Sequence, residues 1–428
     1  MKIIKIPIFI LLSIGLSATT IDELIDSGLA NNSIIQKDKL QTQLIEEKRK
    51  ESRAKKFGEF DMVGSYTHYN LPRTLAPIVP SALSPTSSVE TTKDLFTTGI
   101  QYSVPLYTGG ALSQQVEIDN LSKVMAETKS KLTREELIYN IRSLYLSGLS
   151  IQALINSQDS YIQALQKLKD IVQESVNIGK KARIDLIKSD TALQEAKGNR
   201  LKLESSLKMI KSTLMAITHI DNIDYLEPIS VSVDKQINSI PEEEFENLER
   251  FKLQNLEIEK GDRVISKAKS IREPQVAVNS YMGYSYDIDD FSLSKERMWQ
   301  VGVNLKWDIF DFDKTSAKIQ QAKISKLQAI AQKQATTEGF KKLLAKATSD
   351  IETSFANYQT NLSNLNLLKE TQKIEEARYE AGVATLNDLL LAKSKTQLAK
   401  SKLIESEYSY QNGVYYLDYL LERGEIQR

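Results

Sequence analysis

The 428-residue chain writes one layout twice, at a constant interval. Gly99 and Gly302 sit on matching alternating stretches and Gly179 and Gly382 in matching helical turns; 302 less 99 and 382 less 179 both give 203. The segment from strand glycine to turn glycine is therefore equally long in both halves, which favours two copies of one supersecondary unit ending at a common level.

The alternation is clear on both copies. In the first, Phe96, Thr98, Ile100, Tyr102, Val104 and Leu106 share one face while Thr97, Gly99, Gln101 and Ser103 share the other, the period-two signature of a strand. In the second, Trp299, Val301, Val303, Leu305, Trp307 and Ile309 face one way against Gln300, Gly302, Asn304, Lys306 and Asp308. At about 3.3 Å per residue, Trp299 and Trp307 stand roughly 26 Å apart. That matches the two aromatic rims of an apolar band about 25 Å tall on an outer-membrane barrel. A half-buried strand of a soluble sandwich fits the same alternation. Upstream, a less regular stretch from Phe60 to Tyr69 precedes a loop rich in proline (Pro72, Pro77, Pro80, Pro85); its register is not fixed by the pattern. The second hairpin, over about 275–310, has instead a short acidic link at Asp287 to Asp290.

Long helices follow each strand. No proline lies between Pro105 and Pro228 or after Pro274, and Phe340, Leu344, Ala347, Ile351, Phe355, Tyr358, Leu362, Leu365 and Leu368 recur at coiled-coil steps of three and four. A helix from about 312 to 381 would approach 105 Å at about 1.5 Å per residue; a row of shorter helices with bends is the alternative. Each helix meets a glycine-centred turn, Asn177-Ile178-Gly179-Lys180 or Glu380-Ala381-Gly382-Val383, after which a second helix returns. The returning helices repeat Asp185-Leu186 as Asp388-Leu389, and Gln194, Ala196 and Lys197 as Gln397, Ala399 and Lys400. The two aspartates stand where a carboxylate caps a helix start.

Residues 1–18 have the form of a secretory leader: Lys2 and Lys5, an apolar run from Ile6 to Leu16, and the small-residue site Leu16-Ser17-Ala18. That run is too short to span a bilayer as a helix, and no later stretch is long enough either. Any membrane insertion must then use strands. Thr20-Ile21-Asp22-Glu23 has the capping-box form and starts a helix reaching about Phe57. The expected boundaries are a first repeat over 19–220 (hairpin 60–107, helical hairpin 109–219), a linker over 221–240, and a second repeat over 241–428 (helical hairpin 312–421). Pro241 and the three glutamates behind it open a helix to about Ile271.

Composition excludes several classes. Lysine plus arginine and aspartate plus glutamate number 56 each and there is no cysteine, so no net field draws the chain to nucleic acid and neither a thiol site nor a lipidated cysteine exists. His68 and His219 lack partners at metal-ligand spacing, and no phosphate loop or nucleophile elbow occurs. Neither a cofactor nor an enzymatic activity is expected.

Together these residues resemble the TolC-type outer-membrane efflux channels. The likeness rests on Leu29-Ala30-Asn31-Asn32 in the first helix and on Ser103-Val104-Pro105-Leu106-Tyr107-Thr108-Gly109-Gly110 at the first strand-to-helix junction. It is most specific in Arg378-Tyr379-Glu380-Ala381-Gly382 through Asp388-Leu389-Leu390-Leu391-Ala392. Ser33 departs from a common proline, and the second junction, Asp308-Ile309-Phe310-Asp311-Phe312-Asp313, lacks the proline and glycines. The resemblance implies an α+β protomer with duplicated strand-strand-helical-hairpin units. Three copies would close a 12-stranded barrel in the outer membrane, continuous with a 12-helix tunnel in the periplasm. It further implies docking to a periplasmic adaptor and, through it, to an inner-membrane transporter of the RND, ABC or MFS type. It places a gate at the tips, with Tyr379 bonded to Asp185 and with Asp388 in an acidic ring; Ala384 and Leu391 stand where further charged gate residues can occur. Gly179, Lys180, Lys181, Arg183, Gly382, Val383 and Leu386 are the expected adaptor contacts, Trp299 and Trp307 the aromatic girdle, and Pro105, Gly109 and Gly110 the junction. A soluble periplasmic coiled-coil scaffold is the rival reading.

Overall fold

The structure, a computed structural model, describes residues 18–78, 89–233, 241–287 and 295–425. Residues 1–17 of the expected leader, Pro80 and Pro85, residues 234–240 of the linker and residues 288–290 of the acidic link lie outside the described residues. The element order is α1 (Ile21–Asn31), α2 (Ser33–Ala54), β1 (Glu59–Thr74), β2 (Thr91–Tyr107), α3 (Ala111–Asn177), α4 (Arg183–Thr218), α5 (Glu249–Lys269), β3 (Gln275–Asp287), β4 (Lys295–Lys306), α6 (Lys314–Glu380) and α7 (Leu386–Leu420). Helices α3 and α6 have 67 residues each, about 100 Å of uninterrupted helix. No described helix is long and apolar enough to cross a membrane.

Several elements differ from the sequence expectation. The N-terminal helix breaks at Asn32, whose backbone is extended (φ −62°, ψ 131°). Its Oδ1 accepts from the Ile34 N–H at 2.9 Å and its Nδ2 donates to Ile217 O at 2.8 Å, so the side chain caps the second helix and ties it to α4. Pro241 heads a 3₁₀ turn over Glu242–Asn247, not a long helix. The chain extends at Leu248 (φ −73°, ψ 142°) before α5 begins. β4 starts at Lys295 and stops at Lys306, which leaves Trp307 just beyond it, its indole N–H donating to Arg272 O at 3.0 Å.

The chain divides into two compact units. One comprises residues 1–38, 129–249 and 336–428. Its core joins Leu24, Ile25 and Leu29 of α1 to Ile138, Ile141, Tyr145 and Leu149 of α3, Leu214 of α4, and Ile223 and Leu226. Those last two residues belong to the expected linker, whose stretch from Tyr225 to Glu227 is bonded in place. Thr19 N–H donates to Tyr225 O at 2.9 Å and Glu227 N–H to Thr19 O at 3.1 Å, while the Gln152 side-chain amide donates to Leu226 O (3.0 Å) and accepts from Leu226 N–H (3.1 Å). Gln152 thus acts as a one-residue strand partner, satisfying buried backbone that a linker leaves open.

The other unit comprises residues 39–128 and 250–335 and holds one antiparallel sheet in the order β1-β2-β3-β4. The register of β1, which the sequence left open, pairs Phe60 with Tyr102 and Met62 with Ile100. Their rings stack at 4.2 Å between Phe60 and Tyr102. Pro105, at the end of β2, coincides with a register shift against β3, where a residue without an N–H is tolerated.

Candidate functional site

Two places in the chain have the residues and geometry for function: the sheet and the paired helical tips.

Reading across the sheet in register, Met62, Ile100, Met282 and Trp299 form one row through all four strands, exposed at 86%, 56%, 53% and 71%. The row one residue along, on the other face, is Asp61, Gln101, Tyr281 and Gln300. One face is apolar and the other polar, and the apolar face is uncovered: Val301, Val303 and Leu305 of β4 are about two-thirds exposed, at 65%, 66% and 67%. The polar face carries cross-strand bonds such as Ser103 Oγ to Asn279 Oδ1 at 2.6 Å. Among the described residues β1 and β4 have one strand partner each, so both edges present unpaired backbone groups. Trp299 lies on this exposed face; Trp307, 56% exposed, lies past the strand.

The two strand-to-helix junctions share a backbone although their sequences differ. Gly109 (φ 60°) and Gly110 (φ 87°) are left-handed, and so are Phe312 (φ 50°) and Asp313 (φ 63°), the same 203 residues on. Non-glycine residues pay steric strain there. Asp311 helps hold the second junction, its Oδ2 accepting from the Thr315 N–H at 2.8 Å.

The two tips are bond-for-bond copies. At the first, Gly179 N–H donates to Val176 O (3.0 Å), and Lys180 (2.8 Å) and Lys181 (3.2 Å) both donate to Ser175 O. At the second, Gly382 N–H donates to Tyr379 O (3.0 Å), and Val383 (2.9 Å) and Ala384 (3.1 Å) both donate to Arg378 O. Both glycines have φ 76°, the left-handed value that ends a helix in a Schellman turn.

Their helix starts differ. Ala182 caps α4 with no side-chain bond. Thr385 and Asp388 form a full capping box on α7: Asp388 N–H donates to Thr385 Oγ1 (3.3 Å), and Thr385 N–H (2.9 Å) and Oγ1 (2.7 Å) donate to Asp388 Oδ2. The Thr385 side-chain bond, followed by its backbone N–H, holds the Asp388 carboxyl below the ordinary aspartate range. Asp185 offers its N–H to Ala182 O at 3.0 Å and is half-buried.

Between the tips lies a small core of Leu168, Val172, Tyr379, Leu386 and Leu389, flanked by Val176, Leu186, Ala384 and Leu390. α3, α4, α6 and α7 all contribute to it. Tyr379 is 8% exposed and its hydroxyl is buried without a hydrogen-bond partner, so the bond to Asp185 is not made. The Lys181 Nζ sits instead 3.5 Å from the centre of the Tyr379 ring. Leu386, expected on the docking surface, is 4% exposed because it packs in this core. Gly179, Lys180, Arg183, Gly382 and Val383 are exposed and Lys181 is half-buried. Ile178 and Val383, at 66% and 71%, stand at matching turns; an apolar residue beside each turn glycine was the sequence signal for Ile178. No group of metal-binding side chains occurs among the described residues.

An α+β chain with a one-sided, open-edged sheet and twinned helical hairpins has the architecture of a channel-forming protomer. Residues 24–218 and 250–421 match the family model described as outer membrane efflux protein, and the chain belongs to that family, whose members are channels and not enzymes. Over 102 residues it is 28% identical to outer membrane protein TolC of Salmonella enteritidis, a match spanning 23% of this chain and 20% of that protein. Its fold is similar to that of a membrane protein from Pseudomonas aeruginosa (TM-score 0.80, 16% identity, covering 94% of this chain and 90% of the other). It is similar also to the CmeC outer membrane channel of Campylobacter jejuni (TM-score 0.76, 16% identity, covering 94% and 86%). At these identities the likeness is one of fold.

Proposed function

We propose that this chain is the outer-membrane exit duct of a tripartite efflux or type I secretion system. Three copies close a 12-stranded barrel, β4 of one pairing with β1 of the next, and their helical hairpins gather into a periplasmic tunnel of 12 helix strands. The observation that carries this reading is the open sheet. Four strands are too few for a membrane barrel, which needs about eight or more and no free edge, and an apolar face uncovered along all four strands has no place in water. A symmetric trimer answers both demands. The row of Met62, Ile100, Met282 and Trp299 then meets lipid and the row of Asp61, Gln101, Tyr281 and Gln300 lines water.

The leader over 1–18 directs export. Trp299 and Trp307 belong to the aromatic girdle, while Pro105, Gly109 and Gly110, with Phe312 and Asp313 in the second half, turn strand into helix. The tips form the periplasmic gate, with Tyr379, Asp185 and Asp388 close to the constriction, and the exposed turn residues Gly179, Lys180, Arg183, Gly382 and Val383 meet the adaptor. The chain does no chemistry; an energised inner-membrane transporter drives the solute through a water-filled path.

Native mass measurement of detergent-extracted outer membranes tests the assembly and planar-bilayer recording tests the duct. A trimer that conducts poorly at rest is the expected result. Recovery as a detergent-independent monomer in the periplasmic fraction would replace the duct with a soluble scaffold.

A further inference from the structure

Resting on the reading of the tips as a gate, we propose that the two hairpins of this chain are latched by the Lys181 ammonium seated on the ring of Tyr379, and not by a bond from the Tyr379 hydroxyl. The contact joins the first hairpin to the second, and both of its ends are aimed by the matched turns. Lys181 N–H is fixed to Ser175 O two residues past Gly179, and Tyr379 O holds the Gly382 N–H. At 3.5 Å from the ring centre the cation is well inside the distance of about 6 Å over which a ring quadrupole attracts it. The ring is 8% exposed, and partial exclusion of water strengthens the attraction.

The hydroxyl points the other way in energy. It is buried with no partner, so it contributes a desolvation penalty and no bond. Lys181 is a positioning residue that acts through Tyr379, and three consequences follow: a positive charge is needed at 181, an aromatic ring is needed at 379, and the 379 hydroxyl is dispensable. A hydrogen-bonded tyrosine gate makes the opposite demand at the last of these.

The test uses the full-length protein in detergent with Lys181→Gln, Lys181→Arg, Tyr379→Phe and Tyr379→Leu. Amide exchange over residues 376–390 reads the latch and bilayer conductance reads the duct. Lys181→Gln and Tyr379→Leu are expected to exchange roughly three- to thirtyfold faster, the span of such a contact, and to leak at rest. Lys181→Arg should restore slow exchange, and Tyr379→Phe should exchange as slowly as the parent or more slowly. Tip exchange in Tyr379→Phe as fast as in Tyr379→Leu overturns the latch, as does parent-like exchange in Lys181→Gln. Should Tyr379→Leu fail to fold, the Lys181 pair decides alone, since that half-buried residue lies on an otherwise exposed turn. Exchange results as expected with no conductance in any form, parent included, keep the latch and remove the duct.

Discussion

Tyr145 shows how one side chain holds segments that are far apart in sequence. Fully buried, its hydroxyl lies 2.7 Å from Glu227 O and 3.1 Å from Thr19 O. Tyr145→Phe leaves those carbonyls without this donor and should cost about 1–2 kcal/mol, read as faster amide exchange at Leu226 and Glu227. Asp388 gives a pH-dependent case. Its carboxyl is depressed by the Thr385 bonds, so its contribution is complete above the unfolded value of about 3.9 and is lost as the pH falls below that through its lowered folded value. Protection against amide exchange at the start of α7 should therefore fall below about pH 4, an effect absent in Asp388→Ala, which lacks that half of the capping box at every pH. In sequence Asp185 and Asp388 read alike, because both follow a turn glycine by six residues. Only the residue three places earlier separates them: Thr385 completes a box and Ala182 cannot.

At the scale of elements, the turns and long helices were readable because each rests on local rules. Left-handed glycines and unbroken apolar steps do not depend on distant contacts. Elements fixed by distant partners were harder. The register of β1 exists only through β2, the break at Asn32 is stabilised by Ile217 O across 185 residues, and Leu386 reads as a surface residue until Leu168 and Val172 are placed beside it. Two predictions belong here. Gly382→Ala forces a side chain into φ 76° and should cost about 1–2 kcal/mol, visible as early local opening of the second tip. On β4, Val301→Lys puts charge on the exposed apolar face and should lower the stability of the inserted form by about 2–4 kcal/mol if that face meets mid-bilayer lipid. Gln300→Lys, one residue along on the polar face, should be tolerated, and refolding into detergent micelles or vesicles with each variant measures the difference.

For the whole molecule, the duplication and the α+β class were legible because both depend on spacing alone; the placement of the expected linker was not, since Ile223 and Leu226 are buried by residues of α1 and α3. A cut after Ala18 would leave Thr19 as the first residue, still able to donate to Tyr225 O as it does here. Intact mass of the exported protein should therefore correspond to a chain beginning at Thr19, and a retained leader would separate this protein from the proposed export route. The two open edges of the sheet carry a further consequence for biogenesis. A newly exported single copy offers sticky backbone at β1 and β4 together with an oily flank, the combination that seeds aggregates. Its lifetime in the periplasm then has to be short or guarded by a chaperone. On the proposed trimer, closure needs several copies to meet, so slow synthesis should favour degradation over insertion.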